Sequence, residues 1–84
     1  MYEVLLERQA ERDLRRLAIE DFRRMVLAIK SLADNPRPSG CRKITGSKSD
    51  WRIRVGSYRV IYEIEDRVQT VKIMRIRHRR EAYR

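Results

Sequence analysis

From Asp50 to Ile64 the chain reads Asp-Trp-Arg-Ile-Arg-Val-Gly-Ser-Tyr-Arg-Val-Ile-Tyr-Glu-Ile, and its spacing gathers Arg52, Arg54 and Arg59 on one surface. Trp51, Ile53 and Val55 alternate with Arg52 and Arg54, and Tyr58, Val60, Tyr62 and Ile64 alternate with Arg59. That period of two gives each strand one apolar face. Gly56-Ser57 reads as a two-residue hairpin turn. Such a turn sets Val55 opposite Tyr58, Arg54 opposite Arg59, Ile53 opposite Val60 and Trp51 opposite Tyr62, with Arg52 diagonal to Arg59. Like charges across a ladder cost up to about 1 kcal/mol. An anion between them relieves that cost, and a phosphate suits guanidinium geometry best. The plainer reading is that long arginine side chains splay into water over an exposed strand face.

The second concentration of chemistry is the tail, Arg75-Ile76-Arg77-His78-Arg79-Arg80-Glu81-Ala82-Tyr83-Arg84, which holds the only histidine and a tyrosine among arginines. A proton acceptor, phosphate clamps and a proton donor are the parts of RNA transesterification. The RNA 2′-OH is itself the nucleophile, so that chemistry requires neither a nucleophilic side chain nor a metal. A solvated basic tail, with His78 merely capping a strand, is the competing reading.

The elements that must position these groups follow from periodicity. Tyr2 to Glu7 is a short strand. Ala10, Leu14, Leu17 and Ala18, then Phe22, Met25, Val26, Ile29, Leu32 and Ala33, keep helical spacing and predict a helical hairpin with one apolar stripe. Asn35-Pro36-Arg37-Pro38-Ser39-Gly40 ends the second helix. Strands are expected over Arg42 to Thr45, across the hairpin, and over Val68 to Arg77 after a turn at Asp66-Arg67. The expected fold is α+β in one domain spanning residues 1–84: an N-terminal strand, a two-helix hairpin and an antiparallel meander, with the helices on one sheet face. The other face stays open and carries the arginines. An even-length turn at Asp66-Arg67 sets Val71 and Ile73 on the core face with Tyr62 and Val60, and Met74, Ile76 and His78 on the arginine face. A bulge near Arg75 would switch that parity.

With 84 residues the domain buries only about 60–65% of its unfolded surface. Its 21 Lys and Arg against 12 Asp and Glu give a net charge of +9, which points to an anionic partner such as nucleic acid or an acidic protein. The single Cys41 has no partner for an internal disulfide and no metal-ligand spacing around it, as expected of a reducing cytoplasm. No cofactor is implied. The apolar stretch at Val4-Leu5-Leu6 is too brief for a signal sequence or a membrane span. Trp51, Tyr58 and Tyr62 are read as core, Met25 and Met74 as packing residues.

The order Leu17, Leu32-Ala33-Asp34-Asn35-Pro36-Arg37-Pro38, Lys43-Ile44-Thr45-Gly46, Trp51 through Tyr62, and His78-Arg79-Arg80-Glu81-Ala82-Tyr83 resembles the RelE/ParE toxin superfamily of toxin–antitoxin systems, on its RelE side. The resemblance spans nearly the whole chain. It implies an mRNA endonuclease acting in the ribosomal A site without a metal, leaving a cyclic phosphate, and inhibited by a cognate antitoxin that wraps the toxin as a hetero-oligomer. By position, Arg52 and Arg54 contact the phosphate region, with Lys43 and Lys48 as further substrate contacts. Arg59 stabilises charge on the scissile phosphate, Arg79 assists, and Tyr83 orients the nucleophile or protonates the leaving group.

Several RelE-type members carry lysines where this chain has Arg52 and Arg54. A guanidinium clamps but does not act as a base, so His78 becomes an acid–base candidate beside Tyr83. A different class of function fits the same fold: a ParE-like, non-enzymatic toxin that inhibits DNA gyrase. A pure protein binder has no need of acid–base groups beside an arginine patch.

Overall fold

A computed structural model describes residues 1–80 of the chain. The elements run β1 (Glu3–Leu6), α1 (Arg8–Arg15), α2 (Ile19–Ser31), β2 (Arg42–Lys43), β3 (Asp50–Val55), β4 (Tyr58–Glu65) and β5 (Thr70–His78). The strands form one sheet in the order β1-β5-β4-β3-β2, with β1 parallel to β5 and every other pair antiparallel. The α+β arrangement and the single helix-covered face agree with the sequence reading.

Alternation builds the core. Ile53, Val60, Tyr62, Ile64, Val71, Ile73 and Ile76 turn one sheet face inward, and Ala10, Met25, Ile29 and Leu32 close over it. Tyr62 is wholly buried, and its hydroxyl donates to the Pro36 carbonyl at 2.7 Å. Burial first, then the neighbouring Cys41, pushes the Tyr62 phenol well above its ordinary range. This bond pins the segment that follows α2.

Boundaries move where local hydrogen bonding wins over periodicity. Leu17 and Ala18 link the helices instead of extending α1, because Arg16 and Leu17 donate to the Asp13 and Leu14 carbonyls in tight i→i−3 bonds. Leu17 still packs on the core from the linker. Helix α2 closes the same way, at Leu32 and Ala33, and the Ala33 carbonyl then accepts the Tyr2 N–H. The final hairpin has a four-residue turn, Asp66 to Gln69, with Gln69 at φ +50, so β5 starts at Thr70.

The turn length is even, and Val71 and Ile73 face the core opposite Ile64 and Tyr62 as expected. Then a bulge interrupts the ladder: Tyr62 pairs with Ile73 but Ile61 pairs with Arg75, leaving Met74 as the extra residue. Beyond it the parity is reversed. Ile76 opposes Val60 in the core, His78 opposes Tyr58, and Arg77 opposes Arg59. The expectation that Ile76 and His78 share the arginine face is corrected by this one residue.

Candidate functional site: an arginine row on the open sheet face

The hairpin register matches the sequence reading at every pair, from Trp51 opposite Tyr62 to Val55 opposite Tyr58. Gly56 takes φ +60 in the turn, which a side-chain-bearing residue adopts only with strain. Arg54 faces Arg59, Arg59 faces Arg77 on its other side, and Arg42 faces Arg52 on the outer strand. Five arginines from four strands thus share one face. The row crosses three strand spacings, roughly 14 Å, a length comparable to two or three nucleotide phosphates.

Arg42, Arg52, Arg54 and Arg59, with Gly40 and Ile53, line an open cleft of about 330 Å³. Arg42, Arg52 and Arg54 are exposed, whereas Arg59 is buried to 7% relative exposure. A guanidinium held in so little water acts through a lower effective dielectric than one on the rim. The same face carries Asp50 opposite Glu63 at its other end. The cationic character is therefore confined to the hairpin end of the sheet.

The segment between α2 and β2 forms one wall and is locked in place. Arg37 makes a two-nitrogen ion pair with Asp66, at 3.1 and 2.8 Å, and lies 4.9 Å over the Trp51 ring. Tyr2 donates its hydroxyl to the same carboxylate at 2.6 Å. Hydrogen bonds from Arg37 and then Tyr2 hold the Asp66 carboxyl down at about 2. Arg37 is thus committed to scaffold contacts, and Gly40 and Arg42 follow from that anchor.

Of the residues singled out by sequence, Arg52, Arg54 and Arg59 come together. Lys43 does not join them: it pairs with Trp51, so its side chain belongs to the opposite face. Lys48 is exposed in the loop between β2 and β3, outside the residues that line the cleft. Arg79 lies just past β5 and donates its N–H to the Ser57 carbonyl at 2.8 Å, which ties it to the hairpin turn. His78 stands edge-on to Tyr58, ring centroids 5.3 Å apart, and its Nδ1 accepts the Arg80 N–H at 3.2 Å. That bond needs the Nδ1 lone pair, so the neutral ring carries its proton on Nε2. Tyr83 lies outside the described residues.

Sequence reasoning missed Arg42 and Arg77. Arg42 was legible as the first residue of a strand, but nothing local gave its pairing with Arg52. Arg77 was hidden by the bulge, which no glycine or proline marks. Among the described residues, no three His, Cys, Asp or Glu side chains are grouped to hold a metal ion.

Comparison with known proteins adds to this geometry. The family described as "ParE toxin of type II toxin-antitoxin system, parDE" matches residues 4–83. A chain of an archaeal RelE–RelB complex from Pyrococcus horikoshii is similar at 28% identity and TM-score 0.83, covering 93% of this chain and 94% of the other. A chain of the toxin–antitoxin complex RelBE2 from Mycobacterium tuberculosis is similar at 28% identity and TM-score 0.81, covering 92% and 96%. The intact Escherichia coli RelBE complex shares the fold at 19% identity and TM-score 0.80, covering 93% and 96%. No curated protein is significantly similar in sequence.

Proposed function

The chain belongs to the ParE toxin family of type II toxin–antitoxin systems, and on that premise we propose that it is an endoribonuclease of the RelE kind, cutting mRNA in the ribosomal A site. Its partner in such a system is an antitoxin, which here silences the nuclease by covering the arginine face. The observation that carries the proposal is the row of Arg42, Arg52, Arg54, Arg59 and Arg77 across one open face. Like charges set opposite one another across three ladders repel. A phosphodiester strand makes the row favourable.

In this reading Arg52 and Arg54, exposed on the rim, clamp the strand. Arg59, held with little water around it, stabilises the charge that builds on phosphorus as the 2′-oxygen attacks. The O2′–P bond forms and the P–O5′ bond breaks, giving a 2′,3′-cyclic phosphate and a 5′-hydroxyl. One proton leaves the 2′-OH and one reaches the departing O5′. The tail supplies the groups for those transfers, Tyr83 foremost with Arg79 assisting, while His78 stands against Tyr58 on the other side of the sheet and takes no part in them. Placement by the ribosome supplies the orientation that a domain this small has few groups to provide.

Mapping mRNA ends by primer extension in cells expressing the chain tests the proposal directly. New ends within translated codons, suppressed by the cognate antitoxin, are expected. Inhibition of gyrase supercoiling by purified protein, with no new mRNA ends, would overturn the nuclease reading in favour of a gyrase-directed toxin.

A further inference from the structure

Strand β1 stops pairing with β5 at Leu6 opposite Ile73, while β5 runs on to His78. The C-terminal end of α1 takes the place of the missing strand. Asp13, Arg16 and Leu17 from that end, Arg75 to His78 from β5 and Tyr58 from β4 line a second cleft of about 340 Å³. It shares no lining residue with the cleft beside the hairpin.

Its charge is one-sided. Arg16, Arg75 and Arg77 line it with His78 against a single carboxylate, Asp13, which already accepts from Arg75 Nε, the Ile76 N–H and Gln9 Nε2. Arg77 Nε is buried and has no hydrogen-bond partner among the described residues. A buried donor left unmatched is unfavourable until an acceptor arrives. His78 presents Nε2 as a further donor, since Nδ1 is taken by Arg80. Leu17, Ile76 and Tyr58 give the cleft apolar floor and an aromatic edge.

Arg77 connects the two clefts, because it is the cross-strand neighbour of Arg59 and also lines the second one. We propose that the cleft at the β5 edge is a second phosphate subsite, holding the backbone of a single-stranded RNA that continues from the arginine row around the sheet edge. The proposal rests on the nuclease reading of the arginine row. It assigns contact to Arg16, Arg77 and His78, and leaves Arg75 to Asp13.

The test uses the full chain and non-cleavable 2′-O-methyl RNA, as a trinucleotide that fits the row and as a nonanucleotide that extends past it. Arg16 is exposed and outside the arginine row, so Arg16→Gln probes the second cleft alone. Nonanucleotide affinity should fall about three- to tenfold, with the slope of log affinity against log salt shallower by about one. Trinucleotide affinity should not change, and Arg16→Lys should restore most of the loss. Equal effects on both lengths, or none on either, overturn the second subsite while leaving the nuclease reading standing. Failure of both RNAs to bind the wild type overturns the two together. If Arg16→Gln weakens only capture of the cognate antitoxin, the cleft is a protein-binding site and the RNA assignment is wrong.

Discussion

The Asp13 carboxylate accepts the Ile76 backbone N–H at 2.9 Å, two residues past the bulge in β5 and beyond the end of β1. A side chain here does the work of a strand. The same oxygen accepts Arg75 Nε at 2.9 Å, and the other takes Gln9 Nε2 at 3.1 Å. Asp13 is 7% exposed, and burial alone pushes its carboxyl up, but the bonds from Ile76, Arg75 and Gln9 outweigh burial and leave it below the ordinary range.

Because the folded state holds this proton more weakly than the unfolded chain does, the stabilisation is fully present above the ordinary carboxylate range. It is lost as pH falls through the folded value. Urea unfolding should therefore show wild-type stability dropping below about pH 4, with a smaller drop in Asp13→Asn. At neutral pH, Asp13→Ala should lose about 1–3 kcal/mol, the range for orphaning buried donors. An Asp13→Ala protein as stable as wild type would mean that water replaces the carboxylate at the strand edge.

That contact also marks the limit of what the sequence carried. The 50–64 hairpin was legible residue by residue, because alternation and a Gly-Ser turn specify a register almost by themselves. The helices were legible from their apolar spacing, and their ends were not, because tight i→i−3 bonds at Arg16 and Leu32 leave no pattern in residue type. The parallel pairing of β1 with β5 joins segments more than sixty positions apart, and nothing local encodes it. The bulge at Met74 was foreseen only as an alternative near Arg75, because no glycine or proline marks it, and it exchanged His78 for Arg77 on the open face.

The arginine row should trade stability for binding. Arg54 is exposed and faces Arg59 directly, so Arg54→Thr removes a like-charge pair and places a strand-favouring residue in β3. Unfolding free energy should rise by a few tenths to about 1 kcal/mol, while RNA affinity falls and its salt slope becomes shallower by about one. A variant that is both less stable and unchanged in affinity would contradict a substrate role for the row.

Tyr62→Phe should cost about 1 kcal/mol, because the buried Pro36 carbonyl loses the donor that sits 2.7 Å away. The larger consequence is predicted in the loop that leads to Gly40 and Arg42. Amide exchange from Arg37 to Cys41 should quicken in this variant more than exchange in β4 itself. Uniform acceleration across the sheet would show that the bond supports global stability only.

If Arg59 stabilises transition-state charge, Arg59→Ala should slow single-turnover cleavage on programmed ribosomes by about a hundredfold or more, the scale of about 3–4 kcal/mol for a preorganised donor. Ribosome affinity should change much less. Arg52→Ala should show the reverse, with weaker engagement and a nearly preserved rate at saturation. Equal losses of rate in the two variants, with binding intact, would erase the division between clamp and charge stabiliser.

His78 and Tyr83 divide on pH dependence. The His78 ring lies against Tyr58, opposite the face that Arg59 shares with Arg54, and its Nδ1 is occupied by the Arg80 N–H. A general base must reach the proton it removes. His78→Ala is therefore expected to keep the shape of the wild-type pH–rate profile and to lose affinity for longer RNA, as a residue of the β5-edge cleft. Tyr83→Phe is expected to depress the rate at every pH without loss of binding. Loss of an inflection near neutrality in His78→Ala alone would return the proton transfer to the histidine, and would require the segment after the bulge to turn toward the arginine row when substrate binds.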